Sequence, residues 1–178
     1  MRSHRNHFRK GAELLEFTFV LLPLLAMIWT IMDIGWAVFA KSTLQRAVRT
    51  GVRTGVTVTA AQATAAGTCL TEMVKSAVQQ NSLGLLSGSA GLSKIKVNYF
   101  QPPDADSTAA ATDVSTLPGA NKSGNIMQVS VQNYSLMPLL PRIFDWKTAP
   151  DKSPMNISVY SADLIEPSNS PPCLGTAP

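Results

Sequence analysis

Arg9-Lys10-Gly11-Ala12-Glu13-Leu14-Leu15-Glu16-Phe17 opens a segment that stays largely apolar as far as Ala40. Upstream lie Arg2 and Arg5, and the first ten residues hold no acid. Downstream, residues 17–40 are interrupted only by Thr18, Pro23, Thr30, Asp33 and the small Gly35. At about 1.5 Å per residue this stretch reaches roughly 36 Å, enough to cross a hydrocarbon core of ~30 Å. A cleavable secretory signal, with Val38-Phe39-Ala40 as its cut, has an apolar stretch of only about 7–15 residues. The length here favours a retained membrane helix.

The position of Glu16 decides how this segment is read. A carboxylate deep in a span costs about 2.5–3.5 kcal/mol on insertion scales, less near the interface. Snorkelling to the interface is the plain explanation. A cut after Gly11 offers another. It would leave Ala12 as a new terminus, with an α-ammonium of pKa about 8. Ala12 and Glu16 are four apart and share one helical face. The new cation would stand one turn from the carboxylate, within the chain or across to a neighbour. Asp33, late in the span, reads either as interfacial or as a partner for Lys41 or Arg46. Pro23 lacks a backbone donor and predicts a kink.

The net charge of +4 belongs to the leader, because the chain from Gly11 onward holds 11 Lys/Arg and 11 Asp/Glu. That balance argues against a nucleic-acid partner. Both histidines, His4 and His7, are also in the leader. Without it the chain lacks the commonest general base and every histidine-ligated metal site. The spacing of Cys69 and Cys173 fits no metal site. Their even count, outside the span, favours a disulfide over two unrelated buried thiols.

After the span the helix continues: Arg46, Arg49 and Arg53 form one row, Leu44, Val48 and Val52 a second, and Ala47, Gly51 and Gly55 a third. The small row reads either as a close-approach surface for another helix or as fraying, since each Gly costs ~1 kcal/mol relative to Ala. The arginine row reads as a solvated face. Residues 57–69 form a linker or weak helix. Leu70, Met73, Val74, Ala77 and Val78 predict an amphipathic helix ending near 81–84. Alternation predicts strands over 94–100, 125–134 and 156–164. Residues 102–124 read as a long loop, residues 136–154, with four prolines, as irregular, and residues 168–178 as a tail that Cys173 can tie down. The expected fold class is therefore α+β: a long N-terminal transmembrane helix (12–56) carrying a small head (70–167) of one short helix and about three antiparallel strands.

The junction resembles the processing and assembly signal of type IV prepilins, most closely the TadE-like pseudopilins of the bacterial tight-adherence secretion system. Gly11 matches the residue before the prepilin-peptidase cut, Ala12 the new terminus and Glu16 the fifth-position acid. Pro23, Asp33 with Gly35, and residues 45–53 follow the same pattern, as do Met127 to Tyr134 with Leu139-Leu140-Pro141. Trp36 departs from it, standing where many relatives carry an arginine. The resemblance implies a non-catalytic inner-membrane protein with a cytoplasmic leader (1–11) and a periplasmic head. Its implied partners are a prepilin peptidase, other pilins or pseudopilins and the tight-adherence inner-membrane machinery. It implies no cofactor and no metal. Charge counting leaves orientation tied, since four basic residues precede the span and Lys41, Arg46, Arg49 and Arg53 follow it. Alternatives are a type II secretion pseudopilin, which shares the cut but carries a longer uninterrupted helix, and a membrane-anchored envelope binding module. A tethered enzyme would need Asp104, Asp106 and Asp113 as a carboxylate cluster; in so polar a loop they read as solvated.

Overall fold

The computed structural model describes residues 5–103, 109–136, 155–166 and 172–175, with side chains from Glu13 onward. The chain divides into two compact units. One contains α1 up to Val38; the other, the head, comprises Phe39–Leu136 and Asn156–Pro178. Helix α1 (Arg5–Thr57) runs through Pro23 and across the boundary as a single element. Its portion Glu13–Thr57 is long and apolar enough to cross a membrane.

Beyond Phe39 the same helix becomes core. Ala40, Leu44, Ala47 and Val48 have no exposed surface and Val52 almost none. Full burial of a Leu or Val side chain contributes about 1.5–3 kcal/mol, so this stripe ties α1 firmly into the head. The small row is a close-approach surface. A Cβ on Gly51 would collide with Val78, and one on Gly55 would stand 2.5 Å from Met127 Sδ and 2.8 Å from Val74 Cγ2. The helix does not break at either glycine. Its neighbour is α3 (Leu70–Gln80) of the same chain, which contributes Leu70, Val74 and Val78 to the core.

Between them lies α2 (Ala60–Ala66), in the stretch expected to be a linker or weak helix. A reciprocal cap explains why so short an alanine-rich run is helical. Thr59 N–H donates to Gln62 Oε1 at 2.9 Å, and Gln62 N–H donates to Thr59 Oγ1 at 3.4 Å. Gly67, in the left-handed region, ends it. A further short helix, α4 (Gly88–Leu92), leads into the sheet.

The sheet has four strands in the order β2-β1-β3-β4: β1 (Ile95–Gln101), β2 (Thr112–Asp113), β3 (Ile126–Leu136) and β4 (Met155–Leu164). The three expected strands are present, with a two-residue edge strand added. The head is thus α+β, with an antiparallel sheet and short helices. Strand β1 runs antiparallel to both β2 and β3. Opposed pairs Ile95/Val131, Val97/Val129 and Tyr99/Met127 all face the core, which fixes the register, because a one-residue slip would expose them all. Asn133, at φ +55°, shifts the inward set of β3 from odd positions to Tyr134 and Leu136. Lys94 spans the offset, its Nζ donating to Asn133 O at 3.1 Å and lying 5.5 Å from the Tyr134 ring centroid.

Gly51→Leu should lower the stability of the head by about 1–3 kcal/mol or more through overpacking against α3. Gly35→Ala meets nothing within 4 Å and should not lower stability, since Ala favours a helix over Gly by up to about 1 kcal/mol. Denaturant midpoints of the full chain in detergent check both; equal midpoints for Gly51→Leu and the parent would contradict this packing.

Candidate functional site

Two regions concentrate chemistry that the fold alone does not require. The first is the N-terminal junction. Gly11 and Ala12 lie inside α1, and Glu16 follows Ala12 by four residues on an exposed stretch of helix. Around Glu16 the helix presents Leu14, Leu15, Phe17, Phe19 and Val20, each more than half exposed. A surface this apolar suits lipid or another apolar helix, not water. The two threonines within it are satisfied locally. Thr18 Oγ1 donates to Leu14 O and Thr30 Oγ1 to Ala26 O, both at 2.8 Å. Pro23 leaves the carbonyl of Phe19 without its usual intrahelical donor. Asp33 is half-buried.

The second region is the start of α3. Cys69 occupies the N-cap but supplies no side-chain cap, so the first N–H groups of the helix need other partners. The C-terminal segment provides them. Leu70 N–H donates to Cys173 O at 2.9 Å, and Thr71 N–H to Leu174 O at 3.1 Å. Thr71 Oγ1 donates to the same Leu174 carbonyl at 2.5 Å. Cys69 and Cys173 are joined by a disulfide across a separation of 104 residues. Asn121, buried, donates from Nδ2 to Pro172 O at 2.6 Å. Gly175 then passes beside Glu72 with φ +89°, and a Cβ there would strike the Glu72 carboxylate. Only glycine meets both demands cheaply. Of the expected tail, residues 172–175 are therefore docked, and the rest lies outside the described residues.

Beneath this strap stands Tyr99. Its ring is almost wholly buried, and its hydroxyl has no hydrogen-bond partner among the described residues. Burial pushes the phenol up to about 12; the nearby Glu72 carboxylate adds to the rise and the Thr71 hydroxyl opposes it. Asp113 behaves differently. The hydroxyl of Ser115 and then its backbone N–H donate to Asp113 Oδ1, at 2.5 and 2.9 Å, and hold the carboxyl below its usual range. Its engagement is local turn chemistry. Asp104 and Asp106, the other members of the imagined carboxylate cluster, lie outside the described residues, as does the proline-rich stretch 137–154.

Sequence reasoning missed Thr71, Asn121 and Gly175 as parts of the strap. Only the cysteine pair signalled that the tail returns to α3.

Comparison with known proteins bears on the first region. The family described as TadE-like protein matches residues 11–53, so the likeness is confined to the N-terminal segment. No curated protein and no solved structure matches the chain.

Two outcomes follow for the strap. Cys69→Ser with Cys173→Ser should destabilise the head by roughly 2–5 kcal/mol in denaturant melts, as loss of a long-loop disulfide does; an unchanged midpoint would show that the strap contributes nothing. The Tyr99 phenol, raised from 10.0 to about 12, favours the folded state fully below pH 10. That contribution declines between pH 10 and 12, by about 2–3 kcal/mol in all. Tyr99→Phe should flatten this slope, and a slope identical to the parent's would refute the assignment.

Proposed function

We propose that the chain is a non-catalytic, membrane-anchored TadE-like pseudopilin that takes part in assembling tight-adherence pili. A prepilin peptidase cuts it between Gly11 and Ala12, and the head lies in the periplasm. The observation that carries this reading is the family match, which begins at Gly11 and follows the apolar helix as far as residue 53.

In this reading Gly11 and Ala12 are acted upon. Hydrolysis of their peptide bond releases the leader and exposes an ammonium one helical turn from Glu16. Apart from the neighbouring Glu13, the helix surface around both charges is apolar. In so low a dielectric, a paired ammonium and carboxylate cost far less than either charge alone, and wrong registers leave a buried charge unpaired. Glu16 accordingly sets the axial register in which α1 packs beside its neighbours. Asp33 is a secondary membrane acid with an interfacial placement.

A type II secretion pseudopilin is the nearest alternative, since the unbroken passage of α1 through Gly51 and Gly55 removes one expected contrast with those proteins. The family match favours the TadE-like reading.

N-terminal sequencing of the protein from native membranes should begin at Ala12; a sequence starting at Met1 or Lys41 would refute processing at this bond. Glu16→Ala and Glu16→Gln should each abolish complementation of pilus assembly in a strain lacking the protein, while the cut itself proceeds. Parental assembly by both variants would remove the register role.

A further inference from the structure

Residues 172–175 reach the start of α3 through a disulfide and through their own backbone carbonyls. Leu70 and Thr71 N–H donate to Cys173 O and Leu174 O, the Thr71 hydroxyl to Leu174 O, and Asn121 Nδ2 to Pro172 O. We propose that the Cys69–Cys173 bridge is a redox latch: reduction by a dithiol frees residues 172–175 from α3 while the rest of the head stays folded. The latch stands apart from the junction at Gly11 and does not depend on its processing.

Access and chemistry favour exchange at this bond. Cys173 is exposed and Cys69 half-buried, so an incoming thiolate reaches Cys173 Sγ. The S–S bond breaks, a mixed disulfide forms on Cys173, and Cys69 leaves as a thiolate. It leaves at the N-terminus of α3, where helix N–H groups favour negative charge. Glu72, in the same turn, lessens that effect. A leaving thiol of lowered pKa speeds such exchange. The second thiol of the dithiol then attacks its own sulfur in the mixed disulfide and releases Cys173. Two electrons pass to the protein, the dithiol becomes a cyclic disulfide, and its two protons end on the cysteines.

Once the bond is open, little holds the segment. Exchanging a hydrogen bond to water for one within the protein gains, net, about what fixing one residue costs in entropy. The strap's hydrogen bonds therefore do little more than offset its ordering. Pro172 is buried, but Leu174 packs against the core only in part. Docking also shuts water away from the Tyr99 hydroxyl, which only the Thr71 hydroxyl approaches among the described residues, and release readmits it. The core, by contrast, is assembled without the strap. Leu44, Val48, Val74, Val97 and Val129 belong to one cluster drawn from α1, α3 and the sheet, to which the strap adds only Leu174 at its margin. The lower denaturant midpoint expected without the bond reflects, in the chain-entropy account, the freed unfolded chain. A folded reduced head is compatible with it.

The test treats the isotope-labelled full chain in detergent with dithiothreitol and no denaturant. Reduction should go to completion, read by mass as maleimide adducts on both cysteines. The amides of Leu70 and Thr71 accept no helix partner and donate only to the strap. In the reduced chain they should exchange at least about tenfold faster than those of Val97 and Val129, and faster than in the oxidised chain. The amide resonances of the sheet should stay in place, and oxidised glutathione should restore the original rates. Cys69→Ser/Cys173→Ser should show the reduced pattern without reductant and ignore its addition; if that variant does not fold, the reduced parent chain decides. Three results would each overturn the proposal. They are a bridge that resists dithiothreitol until the chain is denatured, Leu70 and Thr71 amides still protected after reduction, and collapse of the sheet's spectrum on reduction, which would make the bridge a staple of the whole fold.

Discussion

Everything in the head is arranged around the burial of one stripe of α1. Leu44, Ala47, Val48, Gly51 and Val52 form a face with almost no exposed surface, and α3 approaches it so closely that a methyl group at Gly51 would not fit. A thin four-stranded sheet and a few short helices make a small core, and domains of this size bury a smaller share of their surface than larger ones. Borrowing the end of the long helix supplies the missing layer. The same helix therefore changes character along its length: largely apolar on all sides from Phe17 to Val38, and amphipathic from Phe39 onward. It follows that the arginines face outward as a consequence of what is buried behind them.

The second constraint is the start of α3. A helix entering the core with an uncapped N-terminus would leave donors unsatisfied next to apolar neighbours. Cys69 gives no side-chain cap, and the carbonyls of Cys173 and Leu174 take that place from the far end of the chain. The disulfide holds those acceptors at hand, so covalent closure and helix capping are one device. Tyr99 sits beneath it with a buried hydroxyl that, among the described residues, only the Thr71 hydroxyl approaches, a cost that the surrounding apolar core must offset.

Much of this was legible in the sequence, and the reasons differ by element. Strands β1, β3 and β4 announced themselves by alternation, because each has one buried face. The long apolar helix was plain from its length. Helix α2 was hidden because its helicity comes from the Thr59–Gln62 capping box and not from an apolar stripe; only Ala63 is buried. The two-residue strand β2 has no pattern to read. Gly51 and Gly55 carried an ambiguous signal, since wear and close approach leave the same residues, and only the partner, α3, distinguishes them. The left-handed turn at Asn133 and the docking of Pro172 on Asn121 depend on contacts far apart in the chain. Of the candidate site, the placement of Gly11, Ala12 and Glu16 along one helix was legible from local spacing, while their processing and register roles are proposed. The strap was legible only as a pair of cysteines.

The central claim is that residues 44–56 of α1 are part of the head's cooperative core and not a stalk that happens to touch it. Native-state hydrogen exchange on the full chain in detergent tests this most directly, because core elements open only with the whole unit. The account predicts that amides of Leu44, Val48 and Val52 exchange as slowly as those of Val97 and Val129, and respond to denaturant with the same slope. Fast exchange of the α1 amides, while the sheet stays protected, would contradict it.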